Sequence, residues 1–246
     1  MLKRPVFMRH EVTLYVMFVM GRVGSTYLTH LLNSHPEILA LSEEMLELKE
    51  DGAEAQIAWA KEFMIPPRVG RYRVRGFSAK PHDILDPDAF GQLLQDKQCK
   101  ILHMQRRNRV KTAISVINGR RLAAKTGMWG LFDEDDRPSA MTVDFEEFDR
   151  AIKWREEWDD KLTDYVGSLQ LPTLPIYYED LCQDKDAFLD DVFSFLGVSP
   201  YPVEAQTMKI TNDDLSKVIK NFDELRARYE GTAYEAMFDE VLLPEV

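Results

Sequence analysis

The stretch TLYVMFVM, Thr13 to Met20, offers water no face. A strand wetted on one side alternates apolar and polar side chains, so a run apolar at every position belongs inside a sheet covered on both faces. Gly21 to Thr26 follows as a turn, and Tyr27 to Asn33 as a helix that stops before His35-Pro36. Lys100 to Gln105 (KILHMQ) and Leu174 to Tyr178 read as further buried strands, and Tyr72 to Ser78 as another. Helical patterns run over Asp51 to Met64, Pro87 to Asp96, Arg109 to Ala124, Asp144 to Val166, and Asp186 to Leu196 before Gly197. The last is an amphipathic helix from Asp214 to Glu230, stopped by Gly231. Asp133 to Ser139, polar and acidic, reads as an exposed loop. Strands alternating with helices predict a three-layer α/β fold with a central, mostly parallel sheet flanked by helices.

No repeat, low-complexity tract or Gly/Ser linker divides the 246 residues, so the expectation is one domain over 1–246. Residues 1–11 are expected to be a flexible, basic start, and 200–246 a helical or closing segment. The longest apolar run, Leu14 to Met20, is far short of the roughly 20 residues a membrane helix needs, and no signal core follows the basic start. These features predict a soluble, cytoplasmic chain with no transmembrane segment. Its formal net charge of −11 argues against nucleic acid as a partner. Cys99 and Cys182 give no disulfide framework and no metal spacing, and both are expected to be small buried hydrophobes. In so acidic a chain, any anion must be held by a local concentration of donors.

Two segments supply one. In GRVGST, Gly21 and Gly24 let the backbone curl tightly, and the N–H groups around Gly24, Ser25 and Thr26 would point outward at a helix start. Ser25 and Thr26 add hydroxyls and Arg22 a cation. The alternative on these residues alone is an ordinary turn capped by Ser25. An ATP-type loop, G-x-x-x-x-G-K-[ST], does not match, because Gly24 stands where that pattern has Lys. The second segment places Arg106, Arg107, Arg109 and Lys111 where a strand passes into a helix, with Ser115 further along it. The bland reading there is a solvated basic helix face. Arg107 is the preferred ligand, because a planar fork can grip a phosphate.

With these residues in hand, the chain resembles the sulfotransferases that use 3'-phosphoadenosine 5'-phosphosulfate (PAPS). Arg22-Val23-Gly24-Ser25-Thr26 is similar to the family's 5'-phosphosulfate loop, which takes forms such as R-S-G-T/S-T after a strand. Arg107 with Ser115 is similar to its 3'-phosphate pair, and Tyr178-Glu179-Asp180-Leu181 to a segment that ends a later strand. His35-Pro36, Arg106-Arg107-Asn108 and Thr126-Gly127-Met128-Trp129 look most like the bacterial nodulation-factor and glycolipid members. The similarity runs from about residue 13 to 198. It implies a P-loop-type fold, PAPS as cofactor with adenosine 3',5'-bisphosphate (PAP) as product, and no metal. It implies cofactor contacts from Gly21, Arg22, Val23, Gly24, Ser25, Thr26, Tyr27, Arg107, Ser115 and Tyr178, with Lys209 and Asn212 in a closing loop. Val23 stands where the family often has Ser or Thr, and Arg22 where many members have Lys.

Sulfuryl transfer is an in-line displacement with charge spread over equatorial oxygens, so catalysis is chiefly positioning and electrostatic stabilisation. Arg22 would neutralise charge on the leaving phosphate. The acceptor hydroxyl needs a base. Relatives use a Glu after the His-Pro step, which puts Glu43 first here and its neighbour Glu44 second. On the residues alone, Ser42-Glu43-Glu44 is equally a helix cap. His82, in a loop that could meet the acceptor, comes next. His35 reads as a structural residue ending the first helix, and His103 as part of a buried strand. The resemblance favours a sugar or glycolipid hydroxyl as acceptor and leaves a homo-oligomer possible. The rival readings are a P-loop kinase of nonstandard sequence and an inactive PAP-binding module.

Overall fold

The computed structural model describes residues 12–66, 70–131, 133–205 and 211–242. Lys209 and the stretch Met1 to Glu11 lie outside the described residues. Five strands form one sheet: β1 (Thr13–Val19), β2 (Ile38–Leu41), β3 (Val74–Ala79), β4 (Lys100–Gln105) and β5 (Thr173–Tyr177), in the order β2-β3-β1-β4-β5. Every pairing is parallel, with Val16 of β1 beside Phe77 of β3 and Ile101 of β4. This is the P-loop-type three-layer arrangement.

The helices are α1 (Ser25–Ser34), α2 (Glu44–Glu47), α3 (Ala53–Phe63), α4 (Pro87–Asp96), α5 (Arg109–Thr126), α6 (Phe145–Ser168), α7 (Tyr178–Gln183), α8 (Lys185–Leu196), α9 (Phe222–Arg228) and α10 (Glu235–Asp239). Asp86, Asn108, Asp144 and Asp184 start α4, α5, α6 and α8 by accepting a hydrogen bond from an N–H of the first turn.

β1 explains the layers. Tyr15, Met17 and Val19 face one side, where α1 and α8 contribute Leu28, Leu31, Leu32, Val192 and Phe193. Val16, Phe18 and Met20 face the other, against Phe63 of α3, Phe90 and Leu94 of α4, and Leu162 and Val166 of α6. A third cluster joins α5 and the start of α6 to the C-terminal segment through Ile114, Phe148, Leu225 and Phe238.

Several expected boundaries move. The first helix begins at Ser25, because Gly24 in the left-handed region serves as its N-cap. Ile38–Leu41 is an edge strand absent from the sequence reading, and Tyr178 opens α7 instead of ending β5. The expected exposed loop at Asp133 to Ser139 contains a 3-10 turn, Glu134–Asp136. The expected continuous helix from Asp214 to Glu230 is broken. Asp214 caps a 3-10 turn, Leu215–Lys217, and Ile219 then bridges to Met141. Asn221 holds that break by accepting from Val143 N–H at 2.9 Å and donating to its carbonyl at 3.0 Å, so helix resumes only at Phe222. Cys99 is buried as expected, whereas Cys182 is half-buried on α7.

The sheet order reverses between β1 and β4. From β1 the chain crosses to β2, and from β4 it moves outward to β5. In open α/β sheets the crevice at such a reversal, beyond the carboxyl ends of the strands, is where ligands bind. The two anion-binding candidates of the sequence follow those two strands.

Candidate active site

The turn after β1 is built to present donors. Gly24 (φ 85°) and Arg22 (φ 70°) both lie in the left-handed region, which is costly for Arg and typical of functional loops. A side chain at Gly24 would collide with Tyr178, whose Cδ2 lies 2.6 Å from an ideal Cβ, so the ring packs directly on the loop. No side chain caps α1, so its first-turn N–H groups lack a side-chain acceptor at the cap. Val23 is fully buried and anchors the turn, Ser25 is buried, Gly21 and Tyr27 are half-buried, and Thr26 is exposed.

The Arg22 guanidinium donates from Nε to Ser115 Oγ at 3.0 Å and from Nη1 to the Trp129 carbonyl at 3.3 Å. One contact therefore joins the loop after β1 to α5, the helix after β4. Burial first and then the charge of Arg106 hold the Arg22 guanidinium below its ordinary pKa, while Glu43 and Tyr178 act in the opposite direction. Beneath the loop, Arg106 donates through a long 3.4 Å contact to the Arg22 carbonyl and stacks 4.5 Å from the Tyr178 ring centre. Arg155 of α6 donates to the Gly21 carbonyl at 2.7 Å.

Among the described residues, Arg107 and Ser115 take different hydrogen-bond partners. Arg107 grips Asp180 with both forks, at 2.5 and 2.8 Å, and lies 3.9 Å over the Tyr177 ring. The N–H groups of Arg107 and Asn108 donate to the two oxygens of Glu179, each at 3.0 Å. The backbone at the end of β4 is thus already satisfied, and of this pair only the half-exposed Arg107 side chain faces solvent. The hydrogen bond to Asp180 raises the Arg107 pKa and holds the Asp180 carboxyl below its usual range.

Glu43 sits at φ 50°, the N-cap of α2, with no side-chain cap bond. Its N–H donates to Ser78 Oγ at 3.1 Å, and Lys80 Nζ donates to its Oε2 at 2.7 Å. Ser42 is not the cap. Glu44 lies one residue into α2, where burial and Glu47 raise its carboxyl pKa. His82 packs against Trp158 and Trp154, at 5.4 and 6.2 Å between ring centres, and its Nδ1 is buried with no hydrogen-bond partner among the described residues. Burial holds its imidazole pKa below the usual value, and Asp83, Lys80, Lys49 and Glu43 all act on it. His35 caps α1, and its ring nitrogens contact Glu37 N–H and the Ser199 carbonyl. Sequence reasoning missed Lys80, Arg155 and the Trp129 carbonyl, since each meets the site from a distant part of the chain.

No protein-family model matches the chain. A nodulation protein H of Rhizobium tropici is 24% identical over 237 residues, covering 92% of each chain. The Rhizobium meliloti nodulation protein H is 22% identical over 244 residues, covering 92% of this chain and 94% of its own. A solved sulfotransferase from Alicyclobacillus acidocaldarius superposes with TM-score 0.50 at 20% identity, covering 93% of this chain and 96% of that one. The chain thus has the fold of a solved sulfotransferase and is similar over nearly its whole length to the nodulation H proteins. In this chain the loop of Arg22 and the helix of Ser115 meet at the sheet's switch point, and the Glu43–Lys80 pair stands close enough for Glu43 to act on Arg22. Among the described residues, no helix is long and apolar enough to cross a membrane.

Proposed function

We propose that this enzyme moves the sulfuryl group of PAPS to a hydroxyl of a carbohydrate or glycolipid, with Glu43 as general base. The observation that carries the reading is the Arg22–Ser115 contact above the uncapped start of α1. It concentrates a guanidinium, a hydroxyl and N–H groups at the crevice between β1 and β4, in a chain of net charge −11. The donor set suits a phosphosulfate, and PAPS would supply the activated sulfuryl group. Gly21 to Tyr27 would hold its 5' end. Arg107 and Ser115, with Tyr178 against the loop, would hold the 3'-phosphate side, and Lys209 belongs to the same proposal.

The chemistry asked of the protein is modest. Lys80 occupies Oε2 of Glu43 and fixes the carboxylate, so Oε1 would take the acceptor's proton. The acceptor oxygen forms its bond to sulfur as the bond from sulfur to the 5'-phosphate oxygen breaks. Arg22 and the loop N–H groups meet the charge that stays on that phosphate. Trp129 and Trp154, each about half exposed near Arg22 and His82, are surfaces on which a sugar ring could stack, which supports the acceptor class.

Calorimetry with PAP tests the reading. Binding is expected in the micromolar range and equally well without magnesium. No PAP binding at moderate salt overturns the proposal, and stabilisation by ATP with magnesium alone would favour a kinase. PAP binding without turnover on any acceptor would leave a binding module.

A further inference from the structure

Helix α6 carries a guanidinium where an amphipathic helix would carry a hydrophobe. Arg155 is 2% exposed. Its Nη1 reaches the Gly21 carbonyl at 2.7 Å and its Nε the Asp159 carboxylate at 2.8 Å, yet its Nη2 is buried with no hydrogen-bond partner among the described residues. Arg106, 8% exposed, lies under the same loop with its Nε also buried and unpartnered, and it has no carboxylate contact among the described residues. Unpaired donors on buried cations are expensive and rare, and two beneath one anion loop ask for a common cause.

The charge count supplies it. Arg106 acts on the charges of both Arg22 and Arg155, and among the described residues Asp159 is the one carboxylate in contact with the buried pair of Arg106 and Arg155. A tie from α6 to the loop would need one cation at most, and an amide could do it. Here like charges are gathered and left under-neutralised, which destabilises the empty loop and is relieved when an anion arrives.

Resting on the reading that the loop holds a 5'-phosphosulfate, we propose that Arg155 is a positioning residue of that site. It fixes the turn through the Gly21 carbonyl and, together with Arg106, supplies buried positive charge to the phosphate group bound above it. Asp159 holds the Arg155 fork in place and tempers its charge while the loop is empty.

The probes are adenosine 5'-phosphate and adenosine 3'-phosphate, each titrated calorimetrically into the full chain. Arg155→Met is expected to weaken the 5'-phosphate by about 10- to 100-fold, the usual worth of a charge-assisted contact, and to leave the 3'-phosphate within about twofold. Arg155→Lys, which keeps the charge but loses the fork, should recover part of the loss. Equal weakening of both ligands, or of neither, means that Arg155 only braces the fold, and the proposal is wrong. If Arg155→Met does not fold, Asp159→Asn decides. It keeps an acceptor for Arg155 and removes the tempering charge, so the 5'-phosphate should bind about two- to fivefold tighter while the free protein melts lower. Unchanged or weaker 5'-phosphate binding overturns the proposal. A wild-type chain that binds neither nucleotide removes the functional reading itself, and this inference with it.

Discussion

Glu43 is held in a conformation that an L residue adopts reluctantly, between the Ser78 hydroxyl at its N–H and Lys80 at its carboxylate. Strain of that kind costs on the order of 1–3 kcal/mol and persists where the surroundings impose it. Glu43→Gln keeps the shape and removes the basicity, so turnover should fall by about 10²–10⁴ while PAP affinity stays within about twofold. Glu44→Gln, on the α2 side of the turn, should be nearly silent in the same assay. A reversed pattern moves the role to Glu44. If both are silent the base lies elsewhere, and His82 is then the group to replace. The strand-to-helix turns made Arg22 and Arg107 legible as candidates, and the family resemblance added Ser115 and Glu43. Spacing could not show where the side chains turn. Arg107 goes to Asp180, set beside it by the end of β5, and Ser115 goes to Arg22. Lys80 reaches Glu43 because β2 and β3 are neighbours in the sheet, and β2 itself had gone unread.

At the scale of elements, the long buried strands were legible because two covered faces leave an uninterrupted apolar run. β2 was not, since four residues, ILAL, carry too little pattern to separate from a turn after His35-Pro36. The C-terminal helix was overread for the opposite reason. Its apolar spacing is real, but the pairing with Met141 takes the Val218 carbonyl and the Lys220 N–H that a continuous helix would use, and the Asn221 side chain ties the break to Val143. The sheet carries its own close approach at Gly76 of β3. An added Cβ there would lie 2.3 Å from Cδ1 of Tyr15 and 2.5 Å from its Cγ, inside a ring that is 2% exposed and cannot swing away. Gly76→Ala should therefore destabilise the domain by about 1–3 kcal/mol or more, as overpacking does, despite the better strand propensity of Ala. A lowered urea midpoint with an unchanged slope would show it. An unchanged midpoint would mean that β1 and β3 can part at this point.

For the whole molecule, the C-terminal segment is tied to α5 by charge as well as by packing. Lys111 of α5, 2% exposed at its side chain, meets Asp213 at 3.0 Å, and Glu240 lies 3.8 Å from the same Nζ. Removing one partner of such a pair leaves a buried charge uncompensated, so Asp213→Ala should cost about 3–5 kcal/mol by urea unfolding, whereas a cost under about 1 kcal/mol would mean that Glu240 suffices. The pH dependence of stability has a different origin. Burial pushes the His103 imidazole from 6.5 down to about 4, and lowers His82 as well. A depressed imidazole means that the unfolded chain takes up its proton first, so stability is full above about pH 6.5 and is lost as the pH falls toward 4. For His103 the loss is on the order of 3 kcal/mol. Asp149, Asp180 and Asp239, all held below their ordinary 3.8, keep their contribution through this window and lose it only at lower pH. Glu44, raised by burial, works the other way and regains a little stability as the pH falls toward its folded value. His103→Gln leaves every one of these groups in place except the one in β4. Urea midpoints measured at pH 7, 5.5 and 4.5 should fall steeply for the wild type and more gently for the variant. Parallel curves would assign the loss to His82, and would make His103 a neutral packing group whose burial costs nothing that pH can reveal.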